Sequence, residues 1–305
     1  MNLIGRSWLW VSSKPQVERF VTAGKLARAV VRRFVAGDHL DDALTAIGEL
    51  NERGIGGILD LLGEGVIDPA GAQAAADEYL ESIERLHAKG LDSTVSVKLT
   101  QLGLAFDKGA CMDHLRRLAA AGVAADVRIE IDMEQSEHVD GTLQIYRVLQ
   151  RDFPDLRIAL QAYLRRTPAD LQEMAPLRPR VRLVKGAYAE PESIALQKRR
   201  EIDRQYAFLT DWLFENATDP AIASHDSALI DHAIATAART GVGKEGFEIQ
   251  MLYGIRRDLQ DELARRGYRV RVYVPFGSAW YPYLMRRIAE RPANLRFFLR
   301  ALAGS

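Results

Sequence analysis

Short apolar runs of strand character recur along the chain, each followed by a stretch whose apolar positions fall at helical spacing. The runs are GIGGILDLL (54–62), STVSVKL (93–99), ADVRIEIDM (125–133), LRIALQAY (156–163), RVRLVKGAY (180–188), AIASH (221–225), FEIQML (247–252) and YRVRVYVPFG (268–277). Helix-start signals stand between them. Asp68-Pro69 opens one segment, Thr167-Pro168 another, and residues 192–216 give a long helical pattern. Strands that alternate with helices predict a parallel sheet, because a right-handed crossover needs a helix to return the chain. Eight such units predict a closed (β/α)8 TIM barrel of the α/β class. An open doubly wound sheet is the alternative, but GIGG at 54–57 stands at the start of the first run, whereas a dinucleotide turn stands at its end. Helical patterns around Lys14 to Val35 and Asp41 to Glu52 read as helices added before the barrel. The expected division is therefore an N-terminal helical extension over 1–45 and a barrel catalytic domain over 46–305.

Composition narrows the function. At 305 residues the chain suits one barrel with a short extension. Its 41 basic and 41 acidic residues cancel, so no global field recruits a nucleic acid by neutralising phosphates. The one cysteine, Cys111, fits a reducing compartment. The apolar LWV near the N-terminus is too short to span a bilayer and no signal-peptide core follows it, so the expected location is the cytoplasm. Residues 286–300, rich in Arg, Leu and Phe at helical spacing, form either a packed helix with solvated arginines or a peripheral membrane contact.

Candidate chemistry lies at the carboxyl ends of the strands, where the loops of a barrel converge on a ligand. The second run ends in Lys98, the third in Asp132, the fourth in Gln161 and Tyr163, and the fifth in Lys185, Gly186 and Tyr188. The sixth ends in His225 and Asp226, the seventh in Gln250 and the eighth in Tyr273. Any one of these alone meets solvent or pairs with a neighbour; together on one rim they point to a shared ligand. After the eighth run, SAWYPYLMRRIAERPAN puts Tyr283, Arg286, Arg287 and Glu290 on one helical face. Two adjacent guanidinium forks suit a carboxylate. The six histidines form no H-E-x-x-H or strand-end H-x-H pair, and there is neither a nucleophile elbow nor a P-loop. A Schiff base on Lys98 or Lys185 stays open, as does a barrel that binds without turnover.

The segments VSVKL, IEIDME, LQAYLRRT, RLVKGAY, SHD, FEIQMLYGIR, and YVPFG followed by WYPYLMRRIAERPAN resemble the proline dehydrogenase (proline oxidase) family, in its order, over residues 45–300. The resemblance is to the short, monofunctional bacterial form. It implies a distorted barrel whose last helix, about 278–291, sits over the strand ends. It implies oxidation of L-proline to Δ1-pyrroline-5-carboxylate, by hydride transfer from C5 to N5 of FAD, with electrons passed to a membrane quinone. By the same resemblance Arg286 and Arg287 would hold the substrate carboxylate, Tyr273 and Tyr283 would wall the ring, and Lys98 and Asp132 would complete the polar side. The cofactor would rest on Met133, Gln161, Arg182, Val184, Lys185, Gly186, Ala187, Tyr188, Ser224, His225, Asp226, Gln250, Leu252, Arg287 and Glu290. Glu64 would pair with Arg286 as a gate. Two positions depart from the family: Asp226 stands where Asn is common and Ser224 where Thr is common, which bears on contacts to the adenosine part.

Overall fold

The computed structural model describes residues 31–63 and 66–290, with side chains through Met285. Within that span every one of the eight apolar runs becomes a strand and the sheet closes on itself. The strands are β1 (Gly56–Leu61), β2 (Ser93–Val97), β3 (Ile129–Ile131), β4 (Arg157–Gln161), β5 (Arg180–Val184), β6 (Ala221–Ala223), β7 (Glu248–Leu252) and β8 (Arg269–Phe276). Each pairs in parallel with the next, and β8 pairs with β1 from Gly56↔Arg271 to Leu61↔Phe276, which completes the barrel. An open doubly wound sheet is thereby ruled out.

Among the described residues nine helices of eight residues or more surround or cap it. They are α1 (Leu40–Asn51), α2 (Pro69–Ala88), α3 (Lys108–Ala125), α4 (Val139–Leu149), α5 (Thr167–Met174), α6 (Arg199–Asn216), α7 (Ser227–Thr240), α8 (Arg257–Arg265) and α9 (Trp280–Glu290). Asp68 caps α2 as its sequence announces, accepting from the Gly71 N–H at 2.8 Å with Pro69 in the first turn. Some elements are shorter than their patterns. The third run loses its first residues because α3 continues to Ala125 and Asp126 ends it in a left-handed conformation (φ 56°). The helix expected from 192 begins at Arg199; the chain before it is irregular and bridges Ala195 to Leu164.

The division expected at residue 45 falls inside α1, which is continuous from Leu40. This helix packs on β8 and β1, burying Leu44, Ile47 and Leu50. It therefore fills the place on the barrel wall that a helix following β8 would take. That leaves α9 free to go elsewhere. Tyr281, Tyr283, Leu284 and Met285 of α9 cluster with Val31, Phe34, Val35 and Leu62, and Tyr273 and Ile255 pack at the edge. Since Leu62 follows β1 and Ile255 follows β7, α9 lies over the carboxyl ends of β7, β8 and β1.

The strands alternate in a way that sorts the two sides of the wall. Ile129 and Ile131 of β3, Ile158 and Leu160 of β4, and Val270, Val272 and Val274 of β8 belong to the apolar core between strands and helices. Their neighbours Glu130, Arg157, Arg182, Glu248, Gln250 and Arg271 face the lumen. Contacts between non-adjacent strands require it: Gln250 of β7 donates to Glu130 of β3 at 3.1 Å, and Arg157 of β4 donates to Glu248 of β7 at 2.8 Å. The lumen is thus filled by ion pairs where many barrels carry branched apolar layers.

Candidate active site

Those pairs form a continuous ladder from one end of the barrel to the other. At the amino-terminal end Asp219, which precedes β6, gathers Arg128, Arg157, Arg180 and Arg269, each within 3.1 Å. Arg157 reaches Glu130 at 3.3 Å, Glu130 reaches Arg182 at 3.1 Å, and Arg182 reaches Asp132 at 3.0 Å. Asp132 then meets Lys98 at 3.0 Å, and Lys98 meets Asp60 at 2.5 Å. Alternating signs at this spacing keep each buried charge compensated, the condition for leaving it ionised out of water.

The upper end of the ladder is the mouth. Lys98 stands one residue beyond β2 and Asp132 one beyond β3, so both side chains turn in over the lumen. Tyr273 of β8 donates from its hydroxyl to Asp132 Oδ2 at 2.6 Å, and Lys98 Nζ donates to the same hydroxyl at 3.3 Å. Ser96 donates to Asp132 Oδ1 at 2.8 Å, while Arg182 donates to Ser96 at 3.1 Å and lays its guanidinium 5.6 Å from the Tyr273 ring. Lys98, Asp132 and Tyr273, named in the sequence at three separate runs, meet here in one hydrogen-bonded group. Asp60, a buried carboxylate within the first apolar run, joins them together with Ser96 and Glu130, none of which stands at a strand end that drew attention in the sequence. The available signal was a single acid inside GILDLL, costly to bury without a cation.

Electrostatics fix the protonation of the mouth. Burial pushes the Asp132 carboxyl up, but the Lys98 and Arg182 cations and the Tyr273 hydroxyl outweigh it and hold Asp132 well below the usual range. Burial lowers Lys98, but Asp60, Tyr273 and Asp132 overcome it and hold the amine protonated far into alkali. Asp60 goes the other way: burial dominates and raises it, against the pull of Lys98. Tyr273 is raised by burial and then by Asp132. Lys98 is accordingly an ammonium whose three N–H groups meet Asp60, Asp132 and Tyr273. A Schiff-base amine needs the opposite setting.

A second group gathers at the ends of β5 and β6. Lys185 Nζ donates to Asp203 at 2.5 Å and to Asp226 at 3.3 Å, and exposed Arg199 adds a 3.0 Å bond to Asp226. Asp226 also caps α7 by accepting from the Ala228 N–H, and its own N–H donates to Ser224 Oγ at 3.1 Å. Burial raises Asp226, but Lys185 and Arg199 bring it below its ordinary value. A carboxylate at this position balances two cations, which an amide would not. Next to this group the Leu252 N–H donates to His225 Nε2 at 2.8 Å, which places the ring proton on Nδ1. Val184, Ala187 and Tyr188 line the same rim in partly buried positions.

Gly186 has φ 115°, and a Cβ there would collide with the Tyr163 ring. A glycine can let a ligand approach the backbone closely, but the contact present is with Tyr163, so packing already demands glycine. Gln161 donates to the carbonyls of Met133 and Glu134 at 3.1 and 3.3 Å. Gln161 Oε1, Gln250 Oε1 and Arg182 Nε are buried without a hydrogen-bond partner among the described residues. All three belong to side chains expected to hold the cofactor, and a polar heterocycle at the mouth would satisfy such orphans. The residues present fit a flavin. Tyr283 of α9 is buried in the cluster that Tyr273 joins. Arg286, Arg287 and Glu290 occupy the last turns of α9, but their side chains lie outside the described residues, as does Glu64.

The chain is similar to known proteins over nearly its whole length. The sequence profile described as "Proline dehydrogenase" matches residues 43–300. The chain is 39% identical over 306 residues to the "Proline dehydrogenase" of Deinococcus radiodurans, covering 99% of this chain and 98% of that protein. It is 38% identical over 295 residues to "Proline dehydrogenase 1" of Bacillus subtilis strain 168, covering 97% of each. Among solved structures it superposes on proline utilization A from Bdellovibrio bacteriovorus, inactivated by N-propargylglycine. There the TM-score is 0.82 at 25% identity, over 94% of this chain and 36% of that one.

Proposed function

Because this chain belongs to the proline dehydrogenase family and is an oxidoreductase of proline catabolism, we propose that it converts L-proline to Δ1-pyrroline-5-carboxylate with FAD, at the mouth formed by Lys98, Asp132 and Tyr273. The observation that carries this reading is Lys98, whose Nζ is held by Asp60, Asp132 and Tyr273 at the top of the ladder. FAD, when bound, supplies a flavin N5 that accepts the hydride leaving C5 of the ring.

The chain's own residues orient and polarise. A substrate carboxylate entering the mouth meets the Lys98 ammonium, whose weakest protein contact is the 3.3 Å one to Tyr273, the first to give way. Arg286 and Arg287, carried over the mouth on α9, would grip the same carboxylate from above as planar forks. Tyr273 and Tyr283 would confine the ring, with Tyr273 fixed by Asp132 and by the Arg182 guanidinium against its face. Holding C5 in one orientation is a contribution that reaches roughly 7–11 kcal/mol in favourable cases. Gln161, Lys185, Gly186, Asp226 and Gln250, with Arg182 beneath, would seat the cofactor, and a cation beside the flavin favours its reduced form. The ring amine must be neutral to release electrons, so turnover rises from neutral toward alkaline pH. A membrane quinone is the electron acceptor we propose, reached by peripheral contact; among the described residues no helix is long and apolar enough to cross a membrane. Glu64 paired with Arg286 would gate entry.

Anaerobic titration with L-proline tests the whole. The purified protein should be yellow and should bleach stoichiometrically, and Arg286→Met with Arg287→Met should abolish bleaching at the same proline concentration. A colourless protein, or one trapped by borohydride with a carbonyl substrate, would instead favour a lysine-based lyase on the same barrel.

A further inference from the structure

The chain leaving β1 is held by one buried amide that belongs neither to the charge ladder nor to the groups assigned to substrate and cofactor. Gln101 Nε2 donates to the Leu61 carbonyl at 3.1 Å and to the Gly63 carbonyl, while the Tyr79 hydroxyl of α2 occupies Gln101 Oε1. Two carbonyls can be met only by the NH2 end of an amide, so the Tyr79 hydroxyl is the donor and Gln101 is locked in one orientation. Gly63 completes the fit. A Cβ there would stand 2.8 Å from Gln101 Nε2, so a side chain at this position would displace the amide.

Between the two carbonyls lies Leu62. Its N–H donates to the Phe276 carbonyl of β8 at 2.8 Å, so Leu62 is fixed by β8 on one side and by Gln101 on the other. Leu62 is also where the exit of β1 meets α9. Its side chain belongs to the buried cluster of Tyr281, Tyr283, Leu284 and Met285. Gly277, in the lead from β8 into α9, has φ 121°, and a Cβ there would come within 2.9 Å of the Leu62 carbonyl oxygen. The entry to α9 and its buried face therefore both rest on the position of Leu62. At its own backbone Gln101 is tied to the other side of the mouth: its N–H donates to the Lys98 carbonyl at 3.1 Å. The turn between them is pinned to the exit of β3, because the Thr100 N–H donates to Glu134 Oε2 at 3.0 Å and the Thr100 hydroxyl donates to Oε1. One short side chain thus links the backbone of Lys98 to the support of α9, and with both donors and its oxygen engaged the link has little freedom.

We propose that Gln101 is a positioning residue for substrate affinity: through Leu62 it sets the height of α9 above Lys98, and with it the gap in which the carboxylate of proline is held. The inference rests on the reading of the mouth as the proline site, with Lys98 below the carboxylate and the arginines of α9 above it. Binding between two walls depends on their separation, and a misplacement of about 1 Å caused far from the chemistry can cost roughly a hundredfold. Gln101 acts on the walls and not on the reacting atoms, so binding should suffer more than hydride transfer from bound substrate.

The test uses the purified flavoprotein with two ligands. L-Proline reduces the flavin; cyclopentanecarboxylate keeps the ring and the carboxylate but has no nitrogen to drive oxidation, and reports binding through the flavin spectrum. Gln101→Met, close in length but without hydrogen-bonding groups, should raise Kd for cyclopentanecarboxylate and KM for proline about tenfold, while flavin reduction at saturating proline slows by less than about threefold. Gly63→Ala keeps every hydrogen-bonding group and pushes the amide aside with a methyl; it should show the same split, and it decides the matter if Gln101→Met does not fold. Asn51→Leu is the structural control. It removes an amide that donates to the Ile55 and Asp92 carbonyls at 3.1 Å each, at the opposite end of the barrel, and should lower the urea midpoint while leaving Kd and KM unchanged. Loss of stability in Gln101→Met and Gly63→Ala with Kd and KM unmoved overturns the proposal, and so does a fall in reduction rate as large as the rise in Kd. A parent protein that proline does not bleach overturns the reading of the mouth and this inference with it, whereas a bleached parent with unmoved variants removes Gln101 alone.

Discussion

At the scale of single residues, the mouth depends on one ammonium between two carboxylates of unlike character. Asp132 is ionised and held below its ordinary range, so its interactions stabilise the fold above about pH 4, the unfolded carboxyl value, and are lost as pH falls toward the folded one. Asp132→Asn should therefore unfold at lower urea than the parent at pH 7, with the gap narrowing below about pH 4; a gap constant down to pH 3 would show that the carboxylate charge is not what stabilises. Asp60 makes the 2.5 Å contact to Lys98 and has a second oxygen with no hydrogen-bond partner among the described residues. We expect Asp60→Asn to loosen Lys98 and raise KM for proline about tenfold, the equivalent of one charge-assisted bond, with a smaller change in the rate of flavin reduction. Steady-state and stopped-flow measurements separate the two, and unchanged KM removes Asp60 from substrate positioning. Tyr273 lies inside β8, three residues before Phe276, whereas Lys98 and Asp132 could be read from the sequence because each stands at the end of an apolar run. Asp60 lies inside one, and only the third dimension reveals that a cation from the neighbouring strand meets it.

Elements set where those residues can stand. The eight runs were legible because a parallel strand covered by helices is apolar wherever it faces them, and the Asp68-Pro69 and Thr167-Pro168 starts were legible because capping is local. The ends were less so. Asp126 closes α3 through a left-handed turn that no periodicity marks, and the irregular stretch before Arg199 carries a helix-like pattern without forming a helix. Gly186 joins element and site: its φ of 115° and the Tyr163 ring over its Cα shape the exit of β5. Gly186→Ala should cost roughly 1–3 kcal/mol of stability, and Gly186→Ala with Tyr163→Ala should recover part of it by removing the collision while leaving the backbone strain. Chemical denaturation of the single and double variants decides; strictly additive losses would mean that the ring and the glycine are uncoupled.

Across the whole molecule the lumen is an electrostatic assembly. Arg157, fully buried, binds Glu130, Glu248 and Asp219. Arg157→Met should destabilise by about 3–5 kcal/mol, because it strands carboxylates in a dry interior. Exchanging Arg157, Glu130 and Glu248 together for apolar residues of similar volume should cost less than that single change, a comparison of urea midpoints that fails if the triple variant is the weaker. The sequence did contain this layer, since Arg128, Glu130 and Asp132 alternate with isoleucines and Arg269, Arg271 and Tyr273 with valines, but attention to strand ends alone passes over it. The seat of α1 has a different consequence, one of timing. Half of its docking surface is β8, more than two hundred positions later in the chain, so on the ribosome the first helix of the wall waits beside β1 until the last strand has been synthesised. Ring closure and the arrival of α9 over the mouth then follow together once β8 has emerged, and a nascent chain halted before Arg269 would hold a barrel open along the seam between β1 and β8.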